Sequence, residues 1–330
     1  MLNKVYFPLL KSLFLLCITT YSFAATTNII NDYRLHGIQG LEKTLDKKLT
    51  DSDYWEKYLK NKDTQFGYIE LYTNILLCDK SKSELLIYSR DANNTYHLRK
   101  EYSAFTGKLK GDKRKEGDLR TPVGVYNIVK KISKVDSFYG PMAFVTSYPN
   151  LYDRYKGKTG QGIWIHGLPT NQERDAFTKG CIAIKNKSIE CMNRDIDIKK
   201  TLLIIKENDK HQTAISKDKL SILLSQLYAW RYAWLYNDID TYLNFYTPKF
   251  RRFDGMNLQR FKRYKTRVFA KNEHKTILFH DINIIPYPNK KDIYKITFKE
   301  IYKSNTFSFI GDKTLIVTLL NNKFNIITEQ

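Results

Sequence analysis

Ile163-Trp164-Ile165-His166-Gly167, followed ten residues on by Thr178-Lys179-Gly180-Cys181-Ile182-Ala183-Ile184, decides how the rest of this chain is read. It sets a thiol and an imidazole fifteen positions apart, each at the edge of a short apolar run and each flanked by glycine. Cysteine attacks well only as thiolate, so it needs a nearby base or positive charge. A glycine beside each residue lets backbone approach a substrate and frees N–H groups to hold an oxyanion. The alternative is structural, because buried cysteine and lone histidine are both common in cores.

Outward from that pair, the pattern is strand-like from about 66 to 207. Tyr68-Ile69-Glu70-Leu71-Tyr72 alternates, and Leu85-Leu86-Ile87-Tyr88 is an apolar run. Gly124 to Ile128 follows a turn at Thr121-Pro122, and Ala143-Phe144-Val145 and Leu202 to Ile205 complete the set around the two opening runs. Glycine and proline punctuate them. A helix is predicted over 186–195. Upstream, Ile38, Leu41, Leu45 and Leu49 recur at helical spacing, and Tyr54, Trp55 and Leu59 continue an apolar face after a cap at Asp51 or Ser52. So short an arm has no core of its own and must pack on another domain or a second subunit.

Residues 206–212 are polar and read as a linker. Beyond it Leu220, Leu223, Leu224, Leu227, Trp230 and Trp234 mark one helical face. A short helix is predicted around Tyr242 to Tyr246. Tyr294, Ile296 and Phe298 alternate, and a hairpin turns at Asn321-Asn322. Helices followed by strands predict a compact α+β domain, a class that permits a small-molecule pocket.

The N-terminus is a separate object. Lys4 and Lys11 flank an apolar run, Leu13 to Ile18, too short to span a bilayer, and Ser22-Phe23-Ala24 supplies a cleavage site. The expectation is a signal peptide over 1–24, export to the periplasm, and no stable membrane anchor after cleavage. Of four cysteines Cys17 would then leave, and Cys78, Cys181 and Cys191 remain. An odd number keeps at least one thiol outside any intramolecular disulfide, and Cys181 is the one whose chemistry needs it. Cys78 reads as core, and Cys191 as packing on the 186–195 helix.

The net charge of +21 falls by two, to +19, when Lys4 and Lys11 leave. That excess favours an anionic partner. Export argues against nucleic acid, so an anionic wall polymer or membrane surface fits better; the alternative is a solubilising surface. No pair among His36, His97, His166, His211, His274 and His280 has zinc-ligand spacing, so no metal is expected. Lys158-Thr159-Gly160 and Ser216-x-x-Lys219 stand in the wrong order for a serine penicillin-binding enzyme. Gly107-x-x-x-Gly111-x-Lys113 lacks phosphate-loop spacing.

The opening stretch, together with Gly117-Asp118-Leu119-Arg120-Thr121-Pro122-Val123-Gly124, resembles the L,D-transpeptidase catalytic domain, or YkuD domain, which acts on peptidoglycan. Thr-Pro-x-Gly, His-Gly and Gly-Cys-Ile occur in that family's order. Phe144 to Asp153, Thr178 to Ile184 and Val268 to Glu273 carry a closer resemblance, to the family's periplasmic L,D-carboxypeptidase branch that sets helical cell shape in Helicobacter and Campylobacter. The fold so implied is a mostly β catalytic domain (an L,D-transpeptidase-like β-sandwich with a helix), a C-terminal α+β domain similar to nuclear-transport-factor-2-like (NTF2-like) domains, and a short N-terminal helical arm. The corresponding boundaries are 1–24 for the signal, 25–62 for the arm, 63–207 for the catalytic domain and 208–330 for the tail. The resemblance also implies a homodimer through the arm and no cofactor.

The resemblance implies that Cys181 attacks the meso-diaminopimelate carbonyl of a stem tetrapeptide, with His166 as general base and acid. Backbone N–H groups of Gly180 and Cys181 are expected to hold the oxyanion, and water then releases a tripeptide. Trp164, Gly167, Lys179, Tyr148 and Asn150 are further candidates for the substrate cleft. One departure matters. Ala183 stands where transpeptidases carry arginine, and Thr178 where they carry serine. The missing cation favours hydrolysis, with crosslinking by an acceptor amine and a non-catalytic wall-binding scaffold as the alternatives. The basic stretch from Lys249 to Arg267 suits an anionic glycan, or simply a solvated face.

Overall fold

The computed structural model describes residues 9–171, 175–210 and 215–330, with side chains from residue 28 onward. The predicted signal segment therefore lies partly outside the described residues; from Leu9 its backbone is helical. Helix α1 (Leu9–Leu49) kinks at Gly37, where φ is 67°, and α2 (Ser52–Leu59) starts at Asp51, whose side chain accepts from the Asp53 N–H. Trp55 Nε1 donates to Leu49 O across the junction (2.8 Å). Trp55 and Leu59 are buried in the C-terminal core, and Asp46 pairs with Arg231 of that domain at 2.7 Å. The Ile38–Leu49 face is only partly covered: Leu41 and Leu49 are half-buried, while Ile38 and Leu45 are exposed, as are Ile30, Tyr33 and Leu35. No described helix is long and apolar enough to cross a membrane.

Strand β1 (Tyr68–Ile69) corrects the first strand prediction. The alternation at 68–72 is real, but Tyr68 and Ile69 pair with Ile284 and Asn283 of the C-terminal sheet rather than with the catalytic strands. The catalytic unit then runs β2 (Asn74–Asp79), β3 (Glu84–Arg90), β4 (Tyr96–Phe105), β5 (Gly124–Ile132), β6 (Ala143–Thr146), α3 (Leu151–Tyr155), β7 (Trp164–His166), β8 (Ile182–Ile184), α4 (Asn186–Asp195) and β9 (Thr201–Lys206). The layers of the expected sandwich join into a closed cycle, β2-β3-β4-β8-β7-β6-β5-β9, because β4 and β5 each pair in both layers. Closure leaves no free sheet edge. Leu76, Ile87, Phe144, Ile165, Ile182 and Leu203 are among the side chains that fill it. Cys78 is fully buried there, and burial pushes its thiol up to about 12. Cys191 sits half-buried on α4, 3.2 Å from Arg194 Nη2, and the described residues hold no disulfide.

The C-terminal unit comprises α5 (Lys217–Leu235), α6 (Ile239–Leu243), α7 (Leu258–Phe269), β10 (Lys275–Pro286), β11 (Ile293–Ser304), β12 (Ser308–Leu320) and β13 (Lys323–Glu329). The short helix predicted at 242–246 lies three residues earlier. Its sheet, β1-β10-β11-β12-β13, is antiparallel throughout, and the predicted face of α5 is buried within the domain's core. Asn321 and Asn322 both take positive φ (49° and 58°), the conformation a two-residue hairpin demands. The last two residues of the predicted linker, 211–212, lie outside the described residues. A third apolar cluster joins the units: Ile75, Val125, Leu151 and Ile204 of the barrel pack with Ile285, Tyr287 and Ile316 of the sheet.

Candidate active site

The barrel closes so that β7 and β8 are adjacent and parallel, with Ile165 opposite Ile182 and His166 opposite Ala183. One register step back, Cys181 stands beside Trp164. Its Sγ accepts from the Trp164 N–H (3.4 Å) and lies 3.5 Å from Gly162 O, to which the thiol donates. Side chains two apart on a strand share a face, so Trp164 and His166 project together while Ile165 and Ile182 enter the core.

His166 is buried, and its ring is oriented from two directions. Nδ1 lies 2.6 Å from Gly167 O. A carbonyl only accepts, so Nδ1 carries the proton and Nε2 of the neutral ring is the basic nitrogen. Tyr139, at the end of a 3-10 turn (Ser137–Tyr139), packs edge-on to the imidazole (centroids 5.0 Å apart) and against Trp164 (5.2 Å). Gly167 is a backbone requirement: a Cβ there would lie 2.3 Å from Asn186 Oδ1 and 2.8 Å from Pro141 Cδ.

The Cys181 turn is built by Thr178. Its hydroxyl accepts from the Gly180 N–H (3.0 Å) and donates to Cys181 O (2.7 Å). This corrects the oxyanion assignment. The Gly180 N–H is committed to Thr178, which leaves the Cys181 N–H of the two nominated donors. Gly180 is required by its φ of 139° and because a Cβ would sit 2.9 Å from Arg120 O. The Thr121-Pro122-Val123-Gly124 element runs directly beneath: Thr121 Oγ1 accepts from the Gly107 N–H (2.8 Å), and Gly107 bridges to Thr178. Lys80 Nζ donates to Thr121 O (2.9 Å). Asp118 anchors the loop before it, paired with Lys113 at 2.9 Å. Burial alone would raise its carboxyl, but N–H donors from Arg114, Lys115 and Arg120, with the Lys113 ammonium, bring it down to about 2.

Two other nominees sit elsewhere than in a cleft. Tyr148 is buried in the barrel core, its hydroxyl donating to Thr159 O (2.9 Å). Asn150 is buried as the N-cap of α3, and its Nδ2 donates to Val125 O and Tyr287 Oη (both 3.1 Å). Both are consumed by the fold and not offered to substrate. Lys179 is exposed beside the nucleophile, where it can meet a carboxylate. Ala183 is fully buried next to His166, so the position that carries a cation in crosslinking members holds only a methyl group. Among the described residues no group of three or more His, Cys, Asp or Glu side chains is placed to hold a metal.

The C-terminal unit holds a cavity of about 620 Å³ that no single motif announced. Phe253 and Tyr264 of the basic stretch line it, whereas Phe250 and Phe261 are core. Lys265 is buried in its wall, 4.5 Å from the Trp234 ring centroid, and burial holds its ammonium down to about 8. Lys313 and Glu329 face each other across 3.4 Å.

Residues 73–205 match the L,D-transpeptidase catalytic domain (YkuD), and residues 222–330 match the Cds6 C-terminal NTF2-like domain. The crystal structure of the helical cell shape determining protein Pgp2 from Campylobacter jejuni superposes with a TM-score of 0.78 at 38% identity, covering 85% of this chain and 99% of that one. The chain belongs to the L,D-transpeptidase (YkuD) family. The structure of Bdellovibrio bacteriovorus Bd1075 is similar at 27% identity and a TM-score of 0.63, covering 79% of this chain and 92% of that one. The putative L,D-transpeptidase YafK of Escherichia coli is 35% identical over 80 residues, which span 29% of that protein's length.

Proposed function

We propose that this protein is a peptidoglycan L,D-carboxypeptidase that removes the terminal D-alanine from stem tetrapeptides through a thioester on Cys181. The observation that supports the reading is the pairing of β7 with β8, which puts Cys181 and His166 on one face of the sheet, with His166 Nδ1 turned to Gly167 O. Nε2 of His166 takes the thiol proton as sulfur bonds to the diaminopimelate carbonyl carbon. The Cys181 N–H faces the oxyanion, and one such donor is worth about 3 kcal/mol. Collapse breaks the C–N bond, and His166 returns its proton to the departing D-alanine amine. Water, deprotonated by the same nitrogen, then cleaves the thioester to leave a tripeptide. The buried Ala183 favours water over an acceptor amine, because that position supplies no cation to bind a second, anionic stem.

The Pgp2 structure is described as that of a helical cell shape determining protein, and the likeness supports a role for this chain in cell shape through murein trimming. The run Leu13 to Ile18 and the Ser22-Phe23-Ala24 site support export to the periplasm. The exposed Ile30, Tyr33, Leu35, Ile38 and Leu45 of α1 support homodimerisation through the arm.

The test is to incubate the protein with disaccharide tetrapeptide and weigh the products. Loss of one D-alanine is expected. A crosslinked dimer would make the enzyme a transpeptidase, and unchanged substrate with tight sacculus binding would make it a scaffold.

A further inference from the structure

Lys295 is a lysine in an apolar setting. In the register of β11 it stands between Ile285 of β10 and Ile316 of β12, both in the cluster that joins the two units. Burial holds its ammonium down to about 8. An apolar side chain of similar length would be less costly to bury there. Its Nζ crosses the domain boundary and donates to Val125 O of β5 (3.2 Å). That carbonyl already accepts from Asn150 Nδ2 at 3.1 Å, so hydrogen-bond satisfaction alone does not call for the lysine.

What the contact fixes is the start of β5. Pairing with β6 begins at Ile128, and Asn127 bonds to Ser147 just beyond β6, so the segment 124–126 lacks that neighbour on one side. The C-terminal unit takes its place: Lys295 holds Val125 O, and Tyr287 Oη sits where a Gly124 Cβ would lie (2.6 Å). Immediately upstream the chain passes under the nucleophile. Val123 N–H donates to Asp112 Oδ1 (2.9 Å), Thr121 Oγ1 accepts from Gly107, and Arg120 O abuts Gly180. Only four residues therefore separate the lysine's anchor from the backbone against which the Cys181 turn rests.

We propose that Lys295 of the C-terminal domain is a positioning residue for Cys181, acting through Val125 and the 120–124 segment to seat the nucleophile turn. The proposal rests on Cys181 being the nucleophile. It makes the tail part of the catalytic machinery's support. Small displacements of a nucleophile cost rate steeply, about 100-fold for 1 Å.

The experiment compares the full chain with Lys295→Met, which keeps length and deletes the donor, and with Lys295→Gln as a second variant. Three quantities are read: kcat and KM for D-alanine release from disaccharide tetrapeptide, the rate of Cys181 alkylation by iodoacetamide followed by peptide mass, and the melting temperature. The expected result is kcat down about tenfold, KM within about twofold, and alkylation slowed in parallel in a folded protein. Unchanged kcat and alkylation, with or without a lower melting temperature, give Lys295 a merely structural role and overturn the proposal. Cys181→Ala is run beside them. If it keeps full D-alanine release, the catalytic reading falls, and the alkylation rates still decide the positioning claim by themselves.

Discussion

At the scale of single residues, three small groups frame the proposed pair, Cys181 and His166. Gly167 gives its carbonyl to His166 Nδ1, Ala183 leaves room beside the imidazole, and Thr178 ties both sides of the Cys181 turn. Thr178→Val keeps the shape and deletes both hydrogen bonds. It is expected to lower kcat about tenfold, through displacement of sulfur and the Cys181 N–H, and to cost about 1 kcal/mol of stability. Steady-state kinetics with thermal melts check this; an unchanged kcat contradicts it. Cys181 and His166 were legible in the sequence because their chemistry, spacing and flanking glycines are local. Tyr148 and Asn150 were misread because their environment is not local: α3 and Tyr287 bury them, and no spacing announces that. The Gly180 N–H was misassigned because Thr178, read only as a substitute for serine, captures it.

At the scale of elements, regular apolar periodicity made α4, α5, β11 and the β12–β13 hairpin readable. Three elements escaped for physical reasons. Half of the side chains of β4 are exposed and few are buried, so it shows no regular alternation. The buried face of α7 is Phe261, Lys265 and Phe269, and a lysine in the middle hides the period. β10 is interrupted by a bulge between His280 and Asn283, which breaks its alternation. The loop under the nucleophile is held by Asp118, and its titration is testable. Its carboxyl is held at about 2 when folded and lies near 3.9 when unfolded, so the stability it contributes is present above about pH 4 and is lost as pH falls toward 2. Asp118→Asn leaves Lys113 buried without its counter-charge. It is expected to cost about 3 kcal/mol at pH 7 and to flatten the acid limb of the stability curve. An equal loss at pH 2 and pH 7 by urea titration would contradict this.

At the scale of the whole molecule, the two family domains are not independent beads. The arm and β1 pack into the C-terminal unit, and the joining cluster covers an apolar flank of the barrel. Residues 73–205 expressed alone are expected to associate or bind a hydrophobic dye, because Ile75, Val125, Leu151 and Ile204 would face water; a monodisperse, fully active fragment would contradict this. The fold class was legible because each unit carries its own pattern, but the joint was not, since it pairs residues some 200 positions apart. Buried Lys265, Lys275 and Lys295 each titrate at about 8 when folded and near 10.4 when unfolded. Between those values the unfolded chain holds more protons, so stability rises with pH. Above about pH 10 the raised pKa values of buried Tyr126, Tyr242 and Tyr246 reverse the slope. A melting maximum is expected between about pH 9 and 10, with a shallower rise in Lys295→Met; identical slopes in variant and parent would contradict the assignment.

The central claim is that Cys181 forms the acyl-enzyme. Its most direct test is D-alanine release from disaccharide tetrapeptide by Cys181→Ala beside the parent protein, at equal concentration and with matching folded spectra. The account predicts a loss of at least about 10³-fold in rate. Release at the parent rate would contradict it.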